Sequence, residues 1–449
     1  MNSLLSNGDQ SLSLGSDVDR GLLKQAAEIA GATEGDASDG YWGTRDSRLE
    51  IEDINSTVDA MLNNASGDHQ AVSDFLSGEN MDVTATAGNH YDANSHFLDL
   101  VTHPWDEDQR GAVNVIDWIG ENADAPGYEG ELAGRSATTL ANLLINNEDL
   151  LSGRIPADDI PGTYTSLGQV NPHLTQSLAL SMSPYLANFV DAPDSMLVNQ
   201  HAGHIDEVSE LSKLFKVLDS DPISAGIMHT ASTQWQNNLA YQYGMDPDMT
   251  EAGFSAGQLN QASTEGFEDQ MKVLVDNKYW ENIVEYNLNS RDYDTVAGLL
   301  GSTPLIPVSV GIGTVSPIVK FEMFDIPNDP ATLSENQWND VYKEIQNTSQ
   351  SDSIVLDYSA AEGYLHRNPE AANEAFSYNL PDGRELSYVG PDGRIDWNAV
   401  TENRGTFQKL IEELGLNSWD GRYDDGLSDN AIDQTIIPIP SDPALPPNP

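Results

Sequence analysis

Few residues in this chain have the types and spacing to do chemistry. Gly253-Phe254-Ser255-Ala256-Gly257 matches G-x-S-x-G, the strand-to-helix elbow whose strain exposes a serine nucleophile. The residues before it, Asp246-Pro247-Asp248-Met249-Thr250-Glu251, form a polar helix start without strand character, and His366 is the one histidine downstream. The expectation at Ser255 is therefore a small-residue helix contact, with a serine hydrolase using Ser255 as an alternative. His201-x-x-His204, followed by Asp206 and Glu207, offers metal-ligand types at a helical step. Zinc needs three or four converging ligands, and no spacing marks the others. His90, His96 and His103 are as loose. Each histidine group reads as a polar loop before a helix, and no metal site is assigned.

The carboxylates form runs such as Asp106-Glu107-Asp108 and Asp424-Asp425. Neither has the D-x-[DN]-x-[DN]-G loop with a distal Glu that favours calcium. Asp106 is expected to cap a helix, its charge beside the positive end of the dipole. No P-loop is present, nor a G-x-G-x-x-G between strand and helix, so no cofactor and no catalytic residue is assigned. Trp118-Ile119-Gly120 and Trp419-Asp420-Gly421 fit W-x-G, and Tyr358 with Glu362 fits Y-x-x-x-[DE]. In so acidic and tyrosine-rich a chain, the tyrosine pattern arises by chance several times over.

These residues sit in a chain whose charge removes whole classes of function. Seventy-two Asp and Glu against twenty Lys and Arg leave a formal charge of −52. Nucleic-acid binding needs a basic field to displace counterions from phosphates, and anionic membrane surfaces would be repelled. Protein partners and weak, nonspecific cations remain. Carboxylate self-repulsion also predicts a melting temperature that rises from low to molar salt, since screening shortens its range. Eight Trp, sixteen Tyr and ten Phe are too many for a disordered acidic chain, so most of it should fold. With no cysteine, disulfides and thiolate metal sites are excluded. The first seven residues lack a basic n-region and an apolar core, so no Sec-type signal peptide is expected. The chain is then cytoplasmic or secreted by a signal-peptide-independent route.

Apolar spacing supplies the elements. Ile51, Ile54, Val58, Met61 and Leu62 fall on one helical face, as do Leu140, Leu143 and Leu144, and Val208, Leu211, Leu214, Phe215 and Leu218. Asn171-Pro172 and Asp221-Pro222 each place a capping side chain before a proline at the first helical position. The spacing predicts a mainly α fold: a body of about ten helices with short loops over residues 1–292. Residues 293–325 form an apolar Gly/Pro-containing segment, uncharged over 295–319. Its readings are a buried helix-loop or short strands, a membrane-inserting hairpin, or a partner-binding surface. Residues 326–418 form a C-terminal helical region, with helices around 335–345, 360–376 and 406–414. Within it two Pro-Asp-Gly-Arg turns, at 381–384 and 391–394, flank a short strand. Residues 419–449 are an acidic, Pro-rich tail, expected to be disordered.

Longer stretches carry a likeness. Residues 16–30 (SDVDRGLLKQAAEIA), 66–81 (SGDHQAVSDFLSGENM), 100–121 (LVTHPWDEDQRGAVNVIDWIGE), 166–190 (SLGQVNPHLTQSLALSMSPYLANFV) and 214–232 (LFKVLDSDPISAGIMHTAS) resemble, in this order, a family of actinobacterial helical proteins labelled TPR repeat region-containing. The likeness spans roughly residues 10–325, without a 34-residue tetratricopeptide consensus. Members are associated with type VII secretion and its W-x-G hairpins, and usually carry a further N-terminal helical region where such a hairpin is expected. The resemblance implies a non-enzymatic helical scaffold for protein interaction, linked to type VII secretion. It supplies no catalytic residues. The alternative is the carrier part of a secreted toxin-like protein, with residues 295–319 entering membranes.

Overall fold

A computed structural model of the chain describes residues 14–31, 51–82, 91–106, 110–156, 164–276, 353–370, 372–379, 385–391, 393–416, 423–424 and 426. The chain is mainly α-helical. Between Asp17 and Asp276, ten described helices have nine residues or more, as the apolar spacing predicts.

Among the described residues five helices come first: α1 (Asp17–Gly31), α2 (Ile51–Ala65), α3 (His69–Ser77), α4 (Ala93–Thr102) and α5 (Gly111–Glu121). On α1 the buried face is Leu23, Ala26, Ala27 and Ala30, small enough to bring α2, α3 and α4 close around it. The stripe expected on α2 points inward at Val58 and Leu62 and also meets α5. Although three residues separate α2 from α3, α3 packs on α1, α4 and α6 (Tyr128–Asn146). Asp68 caps α3, accepting from the Ala71 amide at 3.1 Å, and Gly78 ends it at φ +80°, a conformation favouring glycine.

After α6 come the short α7 (Glu148–Leu151) and a two-residue antiparallel pair, β1 (Ile155–Pro156) with β2 (Tyr164–Thr165), Ile155 opposite Thr165. Then follow α8 (Leu167–Val170), α9 (Pro172–Met182), α10 (Leu186–Phe189), α11 (Val208–Leu218), α12 (Pro222–Met245) and α13 (Glu251–Asp276). Every residue of the stripe expected on α11 is buried. Asp221 caps α12 as its Asp-Pro pair predicts, accepting from the Ser224 amide at 2.8 Å.

Asn171 does not cap. Its amide donates to the carbonyls of Val101 and His103, both at 2.7 Å, and its oxygen accepts from the Trp105 amide at 3.0 Å. Three backbone groups at the end of α4 and just after it claim the side chain that the local sequence assigned to the helix end. Asp106 is corrected likewise. Arg110 is the N-cap of α5 and makes no side-chain cap, while Asp59 of α2 accepts from the Gly111 amide at 2.6 Å.

The centre of the body is α12, which packs on α9, α13 and α14 (Ser353–Arg367), while α11 lies along α13. Trp235, Tyr185 and Tyr243 are the bulkiest fully buried side chains. Two of their polar ends reach carbonyls: the Trp235 indole that of Ser183 at 3.2 Å and the Tyr185 hydroxyl that of Ile119 at 2.8 Å.

The helix expected over 360–376 starts at Ser353 and stops at Arg367, before Asn368-Pro369, because proline denies the residue ahead of it an α conformation. Beyond it lie α15 (Ala372–Ala375), an antiparallel pair of β3 (Ser377–Asn379) and β4 (Glu385–Ser387) with Tyr378 opposite Leu386, then α16 (Trp397–Glu402) and α17 (Arg404–Glu413). At the second Pro-Asp-Gly-Arg, Gly393 takes φ +79° and its amide reaches the Gly390 carbonyl at 3.0 Å, closing the turn. The apolar segment 293–325, the helix around 335–345, the first turn at 381–384, Trp419 with Gly421, and the Pro-rich end of the tail lie outside the described residues. Among the described residues no helix is long and apolar enough to cross a membrane.

Candidate interaction surface

The structure disperses most of the chemically suggestive residues. Ser255 is buried inside α13, and its hydroxyl donates back to the Glu251 carbonyl at 3.1 Å. A helix interior cannot form the strained, exposed elbow that activates a serine. The glycine of the same motif, Gly257, serves packing: a Cβ there would strike the Tyr423 carbonyl.

His201 and His204 lie in the loop before α11, as expected, and His204 pairs with Asp206 at 2.9 Å on the surface. His96 and His103 depart from the loop reading. His96 is buried within α4, with Tyr91 stacked on it at 4.4 Å. His103 ends α4, also buried, and donates through Nδ1 to the Ala30 carbonyl at 3.1 Å. Both rings fasten α4, whose neighbours the local sequence does not reveal. His90, Glu107, Asp108 and Asp425 lie outside the described residues. Among the described residues no three His, Cys, Asp or Glu side chains stand together as metal ligands.

The two short patterns serve packing. Trp118 is buried in α5 and stacks on His69, 4.3 Å between ring centroids and 8° from parallel. Gly120 gives room for the backbone of α9 at Leu180 and Ser181. Tyr358 and Glu362, one turn apart on α14, clasp Ile395: the tyrosine hydroxyl donates to its carbonyl at 3.3 Å, and the carboxylate accepts from its amide at 2.7 Å.

Among the described residues the most deeply buried ionisable pair joins the end of α11 to α12. Asp219 has no exposed surface, and its Oδ2 lies 3.0 Å from His229 Nε2, while its Oδ1 has no hydrogen-bond partner. Burial pushes the Asp219 carboxyl up, partly offset by His229.

Among the described residues the exposed large apolar side chains are Leu14, Val18, Tyr128 and Tyr164. Polar contacts tie the entry of α1 to α3 and α6. Asp68 holds the chain leading into α1, its Oδ1 accepting from the Gly15 amide at 2.7 Å and its Oδ2 from Ser16 at 2.8 Å. Arg20 then reaches Asp74 of α3 at 2.6 Å. Gln70 joins the parts: its Cγ would lie 2.9 Å from a Cβ on Gly15, and its Oε1 accepts from the Tyr128 hydroxyl. Beneath, His69 sits on Trp118 and pairs with Glu129 at 2.9 Å. The entry of α1, the start of α3 and the first turn of α6 are thus joined through Asp68, Gln70 and His69. Val18 precedes Leu23 by five positions, about 140° around a helix from the buried face, in keeping with its exposure.

A family profile described as a TPR repeat domain matches residues 1–118, which hold α1 to α4 and most of α5. No curated protein and no solved structure matches the chain.

Proposed function

We propose that this chain is a protein-interaction scaffold that works alongside a type VII secretion system. The observation that carries the reading is the TPR match over residues 1–118 on a mainly helical body, since domains of that description commonly mediate protein–protein contact. The charge of −52 turns away nucleic acid and anionic membranes and leaves protein as the partner. The placement of Ser255 inside α13 supports a role without catalysis. The secretion link rests on the resemblance of the sequence stretches between residues 16 and 232.

We divide the chain into a helical domain (1–292), an apolar segment (293–325), a C-terminal region (326–418) and a tail (419–449); α14 of the third packs along α12 of the first. Affinity purification of the chain from its native host, with and without an active type VII system, tests the function. Recovery of a secretion component, or system-dependent appearance in the culture filtrate, is the expected result. Purification that yields neither a partner nor a secretion component sinks it.

A further inference from the structure

We propose that Asp219 is a carboxylic acid at neutral pH, donating its proton to His229 Nε2, so that one proton locks the joint between α11 and α12 and the joint loosens as pH rises. The acid sits at the C-terminal end of α11, where its amide donates to the Phe215 carbonyl at 2.7 Å. Its side chain has no exposed surface, and that of His229 is 4% exposed. The rings of Phe215 and Phe267 lie 5.7 and 5.3 Å from the imidazole, centroid to centroid, and wall it with apolar surface from α11 and α13.

Hydrogen bonding decides where the proton rests. Oδ2 lies 3.0 Å from Nε2, and among the described residues no donor reaches Oδ1. The hydroxyl of the adjoining Ser220 is spent, donating to the Val217 carbonyl at 2.6 Å and accepting from the Gly168 amide at 2.9 Å. An ion pair would leave Oδ1 as a buried anionic oxygen without a donor, which costs far more than a bare carbonyl oxygen. In the neutral pair Oδ2 carries the proton, Oδ1 is that carbonyl, and the imidazole keeps its own hydrogen on Nδ1. Burial acts in the same direction on Asp219.

The other titratable groups of the surrounding elements are engaged elsewhere or face water. Lys213 and Lys216 of α11 pair with Glu210 and Glu148. Asp221, ahead of α12, accepts from the Ser224 amide and from Gln176, and Tyr241 and Tyr243 stand roughly three turns further along that helix. On α13, Glu265 accepts from Gln261, Glu268 is half-buried, and Asp269 pairs with Lys272; His173 of α9 is exposed. The charge that bears on Asp219 is His229. The unfolded chain gives up the Asp219 proton through the ordinary carboxylate range, at about pH 4, while the folded pair keeps it. The stability this proton contributes is complete below that range and is lost as pH rises through the folded value.

The test compares the full chain with its Asp219→Asn variant, because an asparagine amide donates to Nε2 as the acid does and needs no proton. Urea unfolding of both is followed between pH 5 and pH 8. The expected result is that the parent's folding constant, divided by the variant's, falls about tenfold per pH unit while the folded pair keeps its proton. A level ratio overturns the proposal, since a purely structural aspartate shifts stability equally at every pH. Infrared difference spectra at neutral pH locate the proton, with a carboxylic-acid carbonyl band expected in the parent and absent from the variant. In chain grown with isotope-labelled histidine, the His229 signal, assigned by its loss in His229→Gln, is expected to be that of a neutral ring accepting at Nε2. An imidazolium signal, or a carboxylate in place of the acid band, overturns the proposal. If the variant fails to fold, the parent's spectra decide: the acid band and the neutral-ring signal must stand together at neutral pH and change together, with one midpoint, in alkali.

Discussion

The helices before residue 205 and the α12–α14 block bury their polar groups in opposite ways. In the first, the large polar side chains work mainly at the seams, where several serve a neighbour's backbone. Asp59 meets the amide of Gly111, Asp68 those of Gly15 and Ser16, Asn171 three groups at the end of α4 and just after it, and Asn199 the carbonyls of Ala123 and Gly130. In the second, the interior itself is polar. Ser224, His229, Thr230, Ser232, Gln236, Asn237 and Asn238 are buried on α12, and Asn260, Gln261, Ser263, Thr264 and Gln270 on α13. What brings α14 in is close approach: a Cβ on Gly244 would strike the Ala360 carbonyl, and one on Gly363 the Tyr241 carbonyl. Apolar stripes choose which face of a helix turns inward. Polar pairs, costly to bury unpaired, also choose the register along it.

If that contrast holds, the largest loss comes from forcing the α12–α14 crossing apart. Gly244→Leu places side-chain atoms where backbone now lies and should cost about 3 kcal/mol or more in urea unfolding; a loss below about 0.5 kcal/mol would mean the two backbones do not meet there. Next comes the seam. Asn171→Ala strands two buried carbonyls and an amide, for an expected loss of about 2 kcal/mol, and a neutral result would return Asn171 to the status of an ordinary loop residue.

The third effect is a slope with pH. Burial raises the carboxyls of Asp19, Asp99, Asp117, Asp219 and Glu265, while Asp92, bonded to the Ser95 amide, is lowered. A raised carboxyl contributes stability that is complete below the ordinary carboxylate range and lost as pH rises through its folded value. Five such groups against one, with self-repulsion acting the same way, predict a higher melting temperature near pH 5 than near pH 8. Asp219→Asn should flatten that slope. A melting temperature that falls on mild acidification contradicts the account. Least affected is Ser255→Ala, which removes one hydroxyl bonded within its own helix and should change stability by less than about 0.5 kcal/mol.

The same contrast explains what could be read from the sequence. Val58 and Leu62, Leu140 and Leu144, and the five apolar residues of α11 were legible because amphipathic helices repeat their burial every turn. So was Asp221, whose partner lies three residues on. Asn171 and Asp106 misled because the decisive partners are distant: Asn171 serves groups 66 to 70 positions away, and Gly111 takes Asp59 from 52 positions back. On α12, buried all round, polar residues interrupt any stripe, and its central place had no local signal. The seam of α1, α3 and α6 was least legible, since Gln70 reaches Tyr128 across 58 positions.

The α12–α14 contact also has a consequence in time. Asn237 and Ser359, which touch across it, stand 122 positions apart. At ribosomal speeds of about 5–20 residues per second, α14 emerges roughly 6–24 seconds after α12. For that interval the groove beside Gly244 is open to solvent in the nascent chain, with Asn237 and Tyr241 uncovered by their later partners. The N-terminal cluster, whose seams join residues within about 80 positions, closes long before, so assembly during synthesis runs in one direction, with α14 and then the Tyr423 contact to Gly257 among its late events.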